Sequence, residues 1–132
     1  MNFGKLLDDK KIEKVEKTDF NLDSAEKDLE FPRKGIEIEN YNWAMAVAYE
    51  IILKTGNELM NFLGYRSIGK EHHKNTFEFL IECNIDKELT NYFDKIRVKR
   101  NNFIYRGADE IGKDKAKEII QKAEEFVQKI RT

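Results

Sequence analysis

The chain has 132 residues, enough for one domain and too few for two independently folding enzyme domains, because single domains cluster at about 100–150 residues. Charged residues make up 37% of it, but 24 Lys and Arg against 25 Asp and Glu leave a net charge of only -1. No whole-molecule field therefore attracts nucleic acid or a membrane, and any such binding needs a local patch. Apolar residues at 40% supply one core, and a single Pro with seven Gly favours long helices over many short strands.

The cysteine content and the charge distribution bear on location. Cys83 is the only cysteine, which excludes an intrachain disulfide and a Cys-based zinc motif within one chain and fits a reducing cytoplasm. The N-terminus has no apolar stretch of signal-peptide length. The longest run without a charge, residues 40–49, is far shorter than the roughly 20 apolar residues of a membrane span. We expect a soluble, cytoplasmic protein with no membrane partner.

The apolar spacing in the N-terminal third of the chain predicts two helical segments, the second of them interrupted by a proline. Residues 3–17 form a weak amphipathic pattern, and residues 22–36 continue helical spacing from Asp23. Pro32 lies inside this second pattern and must kink or restart the helix, because it lacks a backbone donor and its ring clashes with the preceding turn. Residues 36–39 also alternate like a strand, but no second strand candidate lies nearby, so helix is favoured. We divide the chain into an N-terminal helix and linker (1–21) and a helical bundle (22–132).

The middle of the chain predicts a central helix and two that follow it. Asn40 and Asn42 provide caps for a helix from Trp43 to Leu63, which is apolar over more than half its circumference. Gly64 ends this helix and residues 67–69 form a loop. A short helix spans about 71–83 with Phe77, Leu80 and Ile81 inward. Asp86 caps the next helix, which carries Glu88 in its first turn.

The last helix, about 113–130, has the clearest amphipathic pattern. Its apolar residues recur at spacings of three and four: Ala116, Ile119, Ile120, Ala123, Phe126, Val127 and Ile130. Short loops between long helices make neighbours antiparallel. The predicted fold is all-α, an up-and-down antiparallel bundle of four main helices plus the N-terminal helix, with no β-sheet.

The segment from Leu89 to Gly107 is the most informative for function. Residues 92–107 include five basic residues and one acid. This segment therefore has a local excess of positive charge in a nearly neutral protein. Helical spacing aligns Leu89, Phe93, Ile96 and Phe103 in one inward stripe with Arg100 near its centre. Arg97, Asn101 and Tyr105 follow a neighbouring polar ridge, where a guanidinium, an amide and a phenol converge beside the core.

Two interpretations of Arg100 stay open. In the first, its side chain extends from the helix to solvent or pairs with an acid across the bundle, as isolated arginines usually do. In the second, it belongs to a phosphate or RNA site, since forked guanidinium donors match phosphate geometry and aromatic rings stack on bases. Residue types alone favour the first interpretation.

Four sequence stretches taken together resemble a known family. The runs ENYNWAMAVAYE, FLGYRS, EHHKNTFEFL and KRNNFIYRG, in this order and spacing, resemble the HEPN domain (higher eukaryotes and prokaryotes nucleotide-binding) over about residues 22–130. The resemblance implies an all-α fold. Many members are metal-independent RNases or toxins, whose signature of Arg, a polar residue and a later His is brought together across a homodimer. Some act beside minimal nucleotidyltransferases in toxin-antitoxin pairs, and others are non-catalytic binding modules.

The signature carries over only in part. The resemblance assigns Arg100 to the signature arginine and Asn101 to the polar residue after it, but Tyr105 occupies the position of the histidine. A phenol with an ordinary pKa near about 10 is a poor general base at neutral pH, whereas an imidazole is suited to that role. The tyrosine that a partner nucleotidyltransferase modifies in some members corresponds to Gly107. RNase chemistry is therefore in doubt, while an arginine-rich binding surface remains.

We expect structural roles for the histidines and the cysteine. His72 and His73 diverge by about 100° on a helix, so they cannot clamp one metal, and we expect a helix-start or loop-packing role. Cys83 reads as a small core residue and not as a nucleophile. We expect Tyr41, Trp43 and Tyr49 to pack in the core. No motif for a metal or cofactor is present in the sequence.

These observations predict a homodimeric, nucleotide- or RNA-associated module. Arg100 and Asn101 line the dimer groove, and the predicted ligand-binding set is Arg97, Lys99, Arg100, Asn101 and Arg106. Two alternatives compete with this prediction. One is an active metal-independent ribonuclease that uses Arg100 and Asn101, with Tyr105 or water as the base. The other is a structural adaptor whose basic ridge is only a solvated face.

Overall fold

The structure, a computed structural model, describes residues 3–106 and 111–131, and the side chains of residues 101–106 lie outside that description. The predicted all-α helical bundle is confirmed. In chain order the elements are α1 (Gly4–Asp8), β1 (Ile12–Lys14), α2 (Asp23–Asp28), α3 (Glu30–Glu37), α4 (Tyr41–Leu63), β2 (Tyr65–Ser67), α5 (His72–Glu82), α6 (Lys87–Arg106) and α7 (Lys113–Arg131).

The helix α4 is the central element of the bundle and packs against α3, α5, α6 and α7. Its first turn is capped as predicted, because the Asn40 side chain accepts a hydrogen bond from the Trp43 backbone N–H. It ends at Gly64, whose φ of 93° is left-handed and favours a residue without a Cβ atom. In the same way Asp86 caps α6 by accepting from the Leu89 N–H at 3.1 Å.

The main core lies between α4 and α7. All seven residues of the predicted apolar face of α7 are buried, and they pack against the inner face of α4. The clean three-and-four spacing of the sequence therefore predicted both this helix and the side of it that faces inward.

Pro32 separates two helices and does not kink one. The break falls at Leu29, between α2 and α3, and Pro32 occupies the first turn of α3, where its missing N–H has no intrahelical partner to lose. Pro32 and Gly35 form the buried side of α3. A Cβ atom added to Gly35 would lie 2.9 Å from the Ala44 Cβ, so this glycine permits the close approach of α3 to α4.

The prediction for the N-terminus is wrong in two respects. Helix α1 covers only five residues, and residues 12–14 pair antiparallel with residues 65–67, so the fold contains a two-stranded sheet. Ser67, predicted in a loop, lies in β2. Ile12 and Leu6 are buried with Met60 and Phe79 in a second, smaller core, and the pairing partner lies about fifty residues away, where no local pattern reports it. The domain division at residue 21 stays a prediction.

The aromatic residues of α4 divide between core and surface. Tyr49 is fully buried and Tyr41 is half-buried, but Trp43 is 41% exposed, which corrects its prediction. Trp43 packs at the edge of α4, where its ring approaches the backbone of Gly35. Within residues 3–106 and 111–131, no helix is long and apolar enough to cross a membrane.

Candidate functional site

Six polar or charged side chains meet where α4, α5 and α6 come together. They are Tyr49 and Glu50 on α4, His73 on α5, and Asp94, Arg97 and Arg100 on α6. We call this set the junction cluster. It is the only place in the part of the chain that the structure describes where two arginines, a histidine and a buried tyrosine are linked in this way, and it includes two of the sequence-predicted site residues.

The inner face of α6 sets the position of Arg100. Leu89, Phe93 and Ile96 are buried as predicted, and Arg100 follows them one turn later on the same face. Its side chain is 20% exposed, which is low for an arginine. Phe103, the last member of the predicted stripe, has its side chain outside the described part of the chain.

Arg100 is held by an acid and by an aromatic ring. Its Nη2 lies 2.7 Å from Glu50 Oε1, and its guanidinium carbon lies 5.3 Å from the centroid of the Tyr49 ring, within range of a cation–π contact. The ion pair with an acid across the bundle, one form of the first interpretation of Arg100, is thus confirmed, and the phosphate-site interpretation stays a prediction. Its Nε, however, is buried and has no hydrogen-bond partner among the described residues.

The remaining predicted residues fall into two groups. Arg97 lies one turn before Arg100, is 19% exposed, and donates from Nε to Asp94 Oδ1 at 2.9 Å; Lys99 is exposed. The side chains of Asn101, Tyr105 and Arg106 lie outside the described residues. The ridge that joins Arg97 to Asn101 and Tyr105 therefore stays a prediction.

Tyr49 and His73 are two of the four members that sequence reasoning did not assign to the site. The Tyr49 hydroxyl lies 3.2 Å from His73 Nδ1. Burial raises the pKa of Tyr49, so the phenol stays protonated and shares a hydrogen bond with Nδ1. Burial also lowers the pKa of His73, and the neighbouring His72, Arg100 and Arg97 add to this while Glu50 opposes it. The imidazole is consequently neutral at pH 7.

The sequence carried only a faint signal for this pair. Tyr49 is a fully buried position of α4 and the exposed Glu50 follows it in the sequence, and only the packing of α5 onto α4 brings His73 to Tyr49. The other histidine behaves as predicted, since His72 begins α5 and its Nδ1 lies 3.2 Å from the Gly69 carbonyl oxygen. Burial raises the pKa of Cys83 to about 11, in agreement with a packed and unreactive thiol.

The charges of the junction cluster balance, because Glu50 and Asp94 oppose the two arginines. Among the described residues, no group of three or more His, Cys, Asp or Glu side chains could hold a metal ion. What the cluster offers chemically is a fixed guanidinium with an unfilled donor, a second arginine beside it, and a neutral imidazole.

The protein is a helical bundle whose candidate site lies between packed helices, and α6 supplies the two partly buried arginines. Helical bundles commonly build their binding sites in this way, from side chains on facing helices. The family model of the HEPN domain matches residues 18–132, which is most of the chain, and the protein belongs to the HEPN family. Membership makes it a nucleotide- or RNA-associated module in general terms. A search of curated proteins finds no match.

Proposed function

We propose that the protein is an RNA-associated HEPN module that binds a phosphate group at Arg100, with Arg97 beside it. One observation carries this proposal. The Nε and Nη2 donors of an arginine form one edge of its planar fork and suit two oxygens of a single oxyanion. In the resting protein Glu50 occupies Nη2, while the buried Nε has no partner among the described residues. A phosphate oxygen at each donor would fill the fork.

Glu50 is the group that a phosphate would replace. Its side chain is 48% exposed, so its carboxylate is already partly solvated and loses little when it gives up the ion pair. Arg100 is much less exposed, and the Tyr49 ring beneath it limits its movement. The exchange therefore leaves the guanidinium in place and exposes the carboxylate. Exposed Lys95 and Lys99 on α6 add the positive charge that attracts a polyanion.

Any cleavage by this site is expected to be weak. The signature position that calls for an imidazole holds Tyr105, and the His73 Nδ1 is occupied by the buried Tyr49 hydroxyl. Binding is accordingly the main activity that we propose, with weak metal-independent cleavage as the most that the chemistry supports.

The assembly state and location belong to the same proposal. We propose a homodimer with α6 at or near its interface, in the cytoplasm, and a minimal nucleotidyltransferase as a partner in a toxin-antitoxin pair. Val98, an apolar side chain on α6 that is 48% exposed, is available for contact with a second copy. Light scattering after gel filtration is the measurement, and a monomer at tens of micromolar contradicts this part alone.

The test of binding uses labelled single-stranded RNA in EDTA over a range of salt concentrations. We expect Arg100→Gln to weaken binding about tenfold to a hundredfold, since a hydrogen bond to a charged group contributes about 1.5–3 kcal/mol. The slope of log affinity against log salt should also become shallower by about one phosphate contact. Arg66→Gln is the matched control, because Arg66 also pairs with an acid, Glu13, but lies on β2.

Glu50→Gln separates this proposal from a purely structural ion pair. If the carboxylate competes with phosphate, its neutralisation strengthens RNA binding while the parent and the Arg66 control stay alike. If the pair is only structural, Glu50→Gln lowers the free energy of unfolding and leaves binding unchanged. Equal binding by parent and Arg100→Gln, or no salt dependence, overturns the proposal in favour of the structural adaptor.

The same incubations report on cleavage. Tyr105→His restores the family signature, so we expect this variant to cleave RNA faster than the parent. A variant that folds and binds RNA but cleaves no faster shows that the imidazole is not the limiting part. Rapid cleavage by the parent in EDTA would establish the active ribonuclease and contradict a mainly binding role.

A further inference from the structure

A shallow groove of about 250 Å³ lies directly beside the junction cluster and shares Glu50 with it. It crosses the surface between α4 and the α2–α3 segment. Its lining is Asp28, Phe31, Val47, Glu50, Ile51 and Lys54. Glu50 both lines this groove and pairs with Arg100, so a ligand that replaces Glu50 at Arg100 lies at the edge of the groove.

Phe31 presents an aromatic ring to this groove. Leu29, Pro32 and Gly35 take the buried side of the α2–α3 segment, so Phe31 is directed outward and is 53% exposed. Val47 is half-buried and Ile51 is buried, and both lie on the adjoining face of α4. Exposed aromatic rings beside basic groups are the usual platform on which unpaired bases stack.

The polar rim of the groove pairs a donor with an acceptor. Lys54 Nζ lies 3.3 Å from Asp28 Oδ2 and 3.0 Å from the Ser24 hydroxyl, and the Lys54 and Asp28 side chains are both partly exposed. The ammonium group donates only and the ionised carboxylate accepts only. On the Watson–Crick edge of guanine, the acceptor O6 stands beside two donors, N1–H and the 2-amino group. Lys54 suits the O6 and Asp28 suits the two donors.

We propose that this groove binds a guanine base whose phosphate occupies Arg100. The inference rests on the proposed function, since it places the phosphate at the same fork. The base stacks on Phe31 and against Val47, and its edge lies at the Asp28–Lys54 pair. Adenine and cytosine offer a single amino donor to Asp28, and the N3–H of uracil is flanked by two acceptors, so the expected order of affinity begins with guanine and ends with uracil.

The test compares GMP, AMP, CMP and UMP with ribose 5-phosphate, which carries the phosphate without a base, in NMR titrations of the full chain. We expect GMP to bind roughly tenfold or more tightly than ribose 5-phosphate, in line with the contribution of one stacked base. Arg100→Gln should weaken every one of these ligands, because all of them share the phosphate.

Two variants isolate the base. Phe31→Leu keeps an apolar side chain but removes the ring, so it should weaken GMP several-fold and leave ribose 5-phosphate unchanged. Phe62→Leu is the matched control, since Phe62 is also an exposed phenylalanine, 43% exposed, near the far end of α4. Asp28→Asn should reduce the preference for GMP over AMP, because the amide loses one acceptor and the charge.

The outcomes distinguish the two proposals. Ribose 5-phosphate that binds through Arg100, with GMP no tighter, overturns the base site and leaves the phosphate site standing. Binding of none of these ligands, together with no binding of RNA, overturns both. A preference for GMP that survives Phe31→Leu also contradicts the base site. An oligouridine with one guanosine separates the ligand sources: tighter binding than GMP identifies RNA, and equal or weaker binding identifies the free nucleotide.

Discussion

Two regions that share the central helix α4 are built on opposite principles. The α4–α7 interface is apolar throughout, and its residues Phe126, Val127 and Ala123 are fully buried. The α4–α5–α6 junction holds a hydrogen-bonded tyrosine and histidine, two ion pairs and a buried guanidinium donor without a described partner. Apolar burial at the first region contributes stability, whereas the second keeps polar groups only partly satisfied.

The difference supports the proposal that stability and function are separated in this chain. Natural proteins usually satisfy buried polar groups, and departures from this rule concentrate at functional sites. We therefore expect substitutions in the α4–α7 interface to change the free energy of unfolding and to leave the ligand affinity of the folded protein intact. We expect substitutions at the junction to change the ligand affinity and to change the free energy of unfolding only slightly.

The largest effect is expected for Phe126→Ala at the center of the apolar region. Phe126 is fully buried and contacts the Phe93 ring at a centroid distance of 5.9 Å. Removal of a buried aromatic side chain costs about 3–5 kcal/mol. Urea unfolding measures the loss, and RNA binding by the protein that remains folded should be unchanged. A loss below about 1 kcal/mol would contradict the assignment of this interface as the main core.

A smaller effect is expected for Gly35→Ala, which tests how tightly the apolar side of α4 is packed. The added methyl would meet the Ala44 Cβ at 2.9 Å, and that atom is close to the backbone and cannot move aside. Such overpacking costs about 1–3 kcal/mol. Gly56→Ala is the comparison, because its nearest neighbours are side-chain ends, Leu80 Cδ1 at 3.0 Å and Thr76 Cγ2 at 3.1 Å. A gain in helix propensity of up to about 1 kcal/mol applies to both glycines, but the side-chain ends near Gly56 can move, so we expect Gly56→Ala to cost less.

At the junction, Arg100→Gln is expected to change stability by about 1 kcal/mol or less. The acid partner is half-exposed, and ion pairs of this kind contribute little, with the contact to the Tyr49 ring adding a similar amount. Thermal unfolding measures this change. A loss comparable to that of Phe126→Ala, without a change in RNA affinity, would assign Arg100 to the core and remove the contrast between the two regions.

The smallest effect concerns pH. Because burial lowers the pKa of His73, the unfolded chain binds this proton at a higher pH than the folded protein does. The stability associated with neutral His73 is present above about pH 6.5 and is lost as the pH falls through the lowered folded pKa. Unfolding at pH 7.5 and at pH 5 should therefore differ less in His73→Gln than in the parent. His72→Gln is the control, and an equal reduction in both variants contradicts the prediction.

Periodicity predicted the elements whose contacts are local in sequence. The α7 face, the C-terminal end of α4 and the Asp86 cap follow from spacing and capping residues that act within one or two turns, so a single stretch of chain contains the information, whereas α4 begins at Tyr41, two residues before its predicted start. Residues 36–39 show the limit of this reasoning: alternation over four residues resembled a strand, yet Ile36 and Glu37 belong to α3 and the next two residues form its terminating turn. Alternation with a period of two residues distinguishes a strand from a helix only when it continues over more than four residues.

The sequence by itself determined the all-α class and the helix that carries Arg100, and it left an acid partner for that arginine as one of the open interpretations. Tertiary structure alone decided which acid it is, the pairing of β1 with β2, and the meeting of Tyr49 with His73. The physical reason is the range of the interactions. Helix formation and capping depend on neighbours three or four positions away, whereas the Arg100–Glu50 and Tyr49–His73 contacts join separate helices. Their partners are selected only when apolar faces pack and set the rotation of each helix.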